Sequence, residues 1–238
     1  MLARRTMIGA VSGAALAAML GGCATTQPIS LEEAVRRLLS LASQRALAGL
    51  MAPNGFYDSQ IARITLPAEL DDNGKAGSIL KRILLSRPVK DRLFVQVNRA
   101  AEVGAQRAAP ILADTIRTMS VSDAMAVLHG GGHAATTLLQ QRMGDALVRA
   151  MLPGIGEGLR LFDSSVVTEV LSIATGINFA RLADDVTRKA SDAIYLAMGR
   201  EEEAIRANPR ATNDALLIAV TEKRTVADID RLVEVLAA

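Results

Sequence analysis

The sequence has no tryptophan, two tyrosines and four phenylalanines in 238 residues, although half of it is hydrophobic. The apolar content is carried by Ala, Leu, Val and Ile. Strands draw on aromatic and β-branched runs, helices on Ala and Leu, so a sheet-based core is disfavoured and an all-α fold expected. A single cysteine, Cys23, rules out an intrachain disulfide. Beyond residues 1–22 no stretch reaches eighteen uncharged apolar residues, so no membrane-spanning helix is expected there. Charge of one sign is lacking too. Residues 1–22 hold two Arg and no acid, so the remainder balances 25 basic against 25 acidic side chains. No basic footprint for nucleic acid remains.

What is present at the start reads as an export signal. Arg4 and Arg5 precede an uncharged segment, Met7 to Leu20, too short to span a bilayer, and Leu20-Gly21-Gly22-Cys23 follows. Small residues let a peptidase groove close on the backbone, and a thiol is the nucleophile for acylation. This ending resembles a bacterial lipobox, in which the cysteine is lipidated and becomes the new N-terminus. Cys23 is the expected lipidation site and the membrane, through that lipid, the expected partner. With Cys23 acylated, no thiol remains for catalysis. Ala24 rather than Asp after the cysteine, by resemblance to enteric lipoproteins, points to the outer membrane facing the periplasm. Arg4-Arg5-Thr6-Met7-Ile8 also resembles a twin-arginine signal, so the export route stays open.

The expected organisation is a signal at 1–22, a lipidated tether at 23–29, a helical domain at 30–221 and an extra helix at 222–238, with about eight to ten helices in all. Ser30-Leu31-Glu32-Glu33 is a capping box leading into a one-sided stripe from Leu31 to Leu50, stopped by Pro53-Asn54-Gly55. Phe56 to Pro67 is the least helical stretch and is expected to pack over helices. Asp71-Asp72-Asn73-Gly74 reads as a turn and Ile79 to Leu85 as a short helix. Pro88 suits a helix start, and Pro110 is expected to start or kink a further segment, Ile111 to Met119. Ser120-Val121-Ser122-Asp123 resembles a second capping box, with Asp123 in the acidic position. Ala134 to Met151 reads as one helix broken by Pro153-Gly154, and Leu159 to Gly176 as another. Asn178 caps the longest stripe, Phe179 to Ile205, and two shorter helices follow, Thr212 to Val220 and Ile229 to Leu236.

Candidate chemistry gathers at a few positions. His129 and His133 bracket Gly130, Gly131 and Gly132. On one helix this spacing would present two imidazoles for zinc, but three glycines break the helix and no further ligand completes a set, so no metal is expected. The glycines also suit a backbone nest for an anion at the start of the next helix, or simply a tight turn. Asp184-Asp185 and Glu201-Glu202-Glu203 read as solvated faces, with Glu202 and Arg206 as an i,i+4 surface pair. Asn98 lies mid-helix beside an apolar stripe, next to Arg99, and needs a partner if buried: a loop backbone or a ligand.

Gly55-Phe56-Tyr57, Asn98-Arg99-Ala100-Ala101-Glu102, Asp123-Ala124-Met125 with Leu128 and Gly130, Ala134-Ala135-Thr136, Glu202-Glu203 with Ile205-Arg206, and Asn208-Pro209 together resemble the bacterial domain-of-unknown-function 4197 family, from about Leu31 to Leu217. The resemblance implies an exported helical protein and brings no established activity. Gly132 stands where members often carry Asp, and Ile218 to Ala238 extends past the usual end. The expectation is therefore a lipid-anchored, non-catalytic helical module of the cell envelope acting through an unidentified envelope protein, without a cofactor. Its alternative is a binder or carrier of an apolar small molecule, with Met119, Met125, Met143, Met151 and Met198 as adaptable wall residues. A hydrolase using His129 or His133 is a distant third.

Overall fold

A computed structural model describes residues 30–66, 86–120, 127, 129–160 and 178–208. Among them it is all helical, with six helices: α1 (Leu31–Leu50), α2 (Gly55–Asp58), α3 (Arg87–Thr118), α4 (Ala134–Met143), α5 (Ala146–Leu159) and α6 (Phe179–Ala207). Cys23 and the signal, Asp123 of the second capping box, the turn at Asp71–Gly74, the helices expected at 79–85, 212–220 and 229–236, and the helix expected over Leu159 to Gly176 beyond Arg160 lie outside the described residues.

Local signals set several helix ends. Ser30 Oγ accepts from the Glu33 amide at 3.2 Å, and Asn178 Oδ1 from the Arg181 amide at 2.8 Å, so each hydroxyl or amide oxygen satisfies one orphan N–H of its helix. After α1, Asn54 adopts a left-handed backbone (φ 63°) and turns the chain into the single helical turn of α2.

Pro153 does not break its helix as expected, and Pro110 does not start a new one. Pro110 lies inside α3, which runs unbroken from Arg87 to Thr118, and Pro153 lies inside α5. A mid-helix proline costs about 3 kcal/mol through a lost hydrogen bond and a clash with the preceding turn. Continuing α3 buries Leu112 and Ile116 completely or nearly so, and continuing α5 buries Ile155 and Leu159. At roughly 1.5–3 kcal/mol per buried side chain, the two gained on each helix offset the proline. The break expected at Pro153-Gly154 lies instead at Gly144 (φ 48°, ψ −128°), a conformation that L side chains rarely adopt. It splits the helix expected over Ala134 to Met151 into α4 and α5.

The core is a set of antiparallel helix contacts. On α3 and α5, Ala100 meets Gly158 while Gly104 meets Gly154 and Ile155, so the chains run in opposite directions. A Cβ on Gly158 would sit 2.7 Å from the Ala100 Cα, so this approach requires glycine. Gln96 Nε2 donates to the Gly158 carbonyl at 2.8 Å across the same seam. Helix α1 packs on α3 and α6. At one end, Arg36 Nε donates to the Met119 carbonyl at 3.0 Å, closing the end of α3 onto the start of α1. Helix α6 supplies the longest buried stripe, from Leu182 through Val186, Ile194 and Met198 to Ile205.

Candidate functional site

Two polar side chains buried in this apolar frame hold irregular backbone in place. Asn98, on α3, is fully buried. Its Oδ1 accepts from the Ile64 amide at 2.8 Å, and its Nδ2 donates to the Ile64 carbonyl at 3.1 Å and to the Phe94 carbonyl at 2.8 Å. One side-chain amide thus pairs with one backbone residue as a neighbouring strand would. It pins the segment 59–66, which has no secondary structure of its own, and seats Ile64 in the core. Lys189, from α6, donates to the adjacent Thr65 carbonyl at 3.0 Å. Above this clamp the Tyr57 and Phe94 rings meet edge-on at 5.5 Å, and the Arg63 guanidinium lies over Tyr57. Arg99 is exposed, and the Asn98 amide is spent on backbone.

The second buried group is Glu202, on α6, which is fully buried. Its oxygens accept from the Ala135 amide at 3.0 Å, the Thr136 amide at 2.7 Å and the Thr136 hydroxyl at 2.7 Å, and the Arg206 guanidinium pairs with it at 2.9 Å. The i,i+4 pair with Arg206 is therefore an interior one, correcting the surface reading. The N-cap position of α4 is His133, whose side chain makes no capping bond. The first turn of α4 is capped from another helix instead, and its positive dipole end meets a full negative charge. Arg206 also donates to the Val127 carbonyl at 3.3 Å, tying down the chain before the glycines. The protein's own carboxylate occupies the free amides at the start of α4, those of Ala135 and Thr136.

That arrangement accounts for the three glycines and the two histidines in part. The turn lies flat on α6. A Cβ on Gly132 would come within 3.2 Å of Glu203 Cγ, and one on Gly199 within 3.2 Å of His133 Cβ. His133 and His129 are both exposed, and among the described residues no group of three His, Cys, Asp or Glu side chains could hold a metal. Two open depressions flank His133. One, of about 420 Å³, runs past Val127, Gly131, Thr137 and Gln141. The other, of about 490 Å³, lies between α4 and α6 and is walled by Gln140, Asp192, Leu196, Arg200 and Glu203. At its floor Tyr195 donates to Met143 Sδ at 3.4 Å, and burial, with Asp192 adding, pushes the phenol up to about 12. It stays protonated at neutral pH.

Glu102, one turn beyond Asn98 on α3, repeats the Glu202 theme more weakly. Burial pushes its carboxyl up, against the opposing pull of Arg99 and of the Asn54 and Gly55 amides, while Asp58 pushes it further up. Its Oε1 is shielded from solvent and reaches no partner in hydrogen-bond geometry.

The residues so joined, Gly55 against Glu102, Asn98 against Ile64, and Ala135-Thr136 against Glu202-Arg206, are distant in sequence. The family described as Protein of unknown function (DUF4197) matches residues 25–221. The chain belongs to this family. No curated protein and no solved structure matches it. Glu202 was missed as a buried residue in the sequence, although the spacing Met198, Glu202, Ile205 continues the inward stripe of α6 and carried the signal. Among the described residues, no helix is long and apolar enough to cross a membrane.

Proposed function

We propose that this protein is a lipid-anchored, non-catalytic helical module facing the periplasm, held to the outer membrane through Cys23 and acting by contact with another protein. The observation that carries the non-catalytic part is the saturation of Glu202. The one acidic side chain fully buried in the described fold spends its acceptors on the start of α4 and on Arg206, which leaves it no role in acid–base chemistry. Asn98 is likewise consumed by Ile64. The anchoring part rests on the Leu20-Gly21-Gly22-Cys23 ending of the signal. The reading as a carrier of an apolar molecule is the weaker one, because the two depressions beside His133 are open to solvent rather than enclosed.

Expression of the full chain in a Gram-negative host, with a fatty-acid label and membrane fractionation, tests the proposal. The wild-type chain should take up label and sediment with the outer membrane, and Cys23→Ser should do neither. An unlabelled wild-type chain recovered from the soluble fraction would refute the anchor. Turnover of a substrate that is lost in a His129→Ala/His133→Ala variant would refute the non-catalytic reading.

A further inference from the structure

The solvent face of α6 carries a charge order that matches itself in reverse. At about 100° per residue, Asp185, Lys189, Asp192, Leu196, Arg200 and Glu203 fall on one stripe. Leu196 is 50% exposed, more than any other large apolar side chain among the described residues. Off the stripe, Asp184 pairs with Arg188 at 3.1 Å and Glu202 with Arg206 at 2.9 Å; on it, Asp185 pairs with Lys189 at 2.8 Å, and Lys189 also donates to the Thr65 carbonyl. Among the described residues, neither Asp192 nor Arg200 has an ion pair or hydrogen bond, and both are exposed.

These charges are antisymmetric about Leu196. Four residues before it stands an acid, Asp192, and four after it a base, Arg200; seven before stands a base, Lys189, and seven after an acid, Glu203. If a second copy lays its α6 antiparallel across this one, with a twofold axis at Leu196, the four charges nearest the axis each meet an opposite, and Asp185 falls opposite Ala207. Asp192 faces the other copy's Arg200, Lys189 faces its Glu203, and the two leucines meet on the axis. A parallel pairing would set each charge against its like. Twofold contacts require this kind of self-complementarity. The 490 Å³ depression beside the stripe, bounded by Gln140 and Arg200, offers room for side chains of an approaching helix at ordinary packing distance. We propose that this face is the contact of an antiparallel homodimer centred on Leu196.

The test does not depend on lipid attachment. Full-length chain in detergent, carrying Leu196→Cys, is oxidised and run without reducing agent. Wild type reports any background from Cys23, and Leu152→Cys, exposed on α5, reports random collision. A disulfide-linked dimer should form with Leu196→Cys well above both controls. In that background Arg200→Asp sets like charges opposite at two symmetric places and should lower the dimer yield at least about tenfold. Adding Asp192→Arg restores the complementarity and should restore the yield, while circular dichroism shows all variants equally helical. No dimer above the controls, or a double reversal no better than the single one, overturns the proposal.

Discussion

Glu202 and Glu203 are neighbours of the same type, yet the fold assigns them opposite weight. Replacing Glu202 by Ala removes the acceptors of the Ala135 and Thr136 amides and of the Thr136 hydroxyl, and leaves Arg206, only 10% exposed, without its counter-ion. Breaking a buried ion pair from one side costs about 3–5 kcal/mol, since the remaining charge stays desolvated. Each buried donor left unpaired costs about 1–3 kcal/mol, though relaxation and entering water lower the total. We expect Glu202→Ala to destabilise the protein by roughly 3–5 kcal/mol, a large part of the stability of an ordinary domain. Glu202→Gln should recover little, because it turns an NH₂ towards a site that presents only donors. Glu203→Ala, at an exposed position, should change stability by less than about 0.5 kcal/mol. Urea unfolding followed by helical circular dichroism measures this as a fall in the midpoint at constant slope. Hydrogen exchange should show the Ala135 and Thr136 amides losing protection in Glu202→Ala. If Glu202→Ala unfolds within 1 kcal/mol of wild type, or if Glu203→Ala is as harmful, the capping of α4 from α6 is not what holds the glycine turn.

Two further outcomes follow from close contacts and charge. Gly158→Ala drives a Cβ to 2.7 Å from the Ala100 backbone and should cost about 1–3 kcal/mol, whereas Gly156→Ala, on the same helix with nothing within 4 Å, should stabilise by about 0.4–1 kcal/mol; paired urea melts compare them. Glu102 titrates higher folded than its ordinary value of 4.5, chiefly through burial. The folded state then holds its proton more tightly than the unfolded chain. Glu102 therefore favours folding below about pH 4.5, and that contribution is lost as pH rises through its folded value. Glu102→Gln should accordingly lose the part of the pH dependence lying above 4.5 and gain stability relative to wild type towards neutral pH, read from melting temperatures across that range.

The site was only partly legible in the chain. Asn98 declared itself, because an amide beside an apolar helical stripe needs a partner, but that the partner would be both backbone groups of Ile64 depends on how segment 59–66 crosses α3. The glycines marked a turn before α4, but the group that caps α4 was not visible, since Glu202 lies more than sixty residues further along. A run of three glutamates reads as solvated by composition; only the phase of α6 separates Glu202 from its neighbours.

Composition and periodicity alone determined that the chain is helical, where α1 begins and ends, and that Asn178 opens α6. These are set within one or two turns of backbone, by a cap oxygen within reach of a free N–H or a residue tolerant of left-handed φ. Tertiary structure alone decided that Pro110 and Pro153 stay inside helices, that the break falls at Gly144, and that Glu202 is interior. In each case the local cost or preference is a few kcal/mol at most, and burial of Leu112, Ile116, Ile155 and Leu159, or a carboxylate meeting four donors, outweighs it.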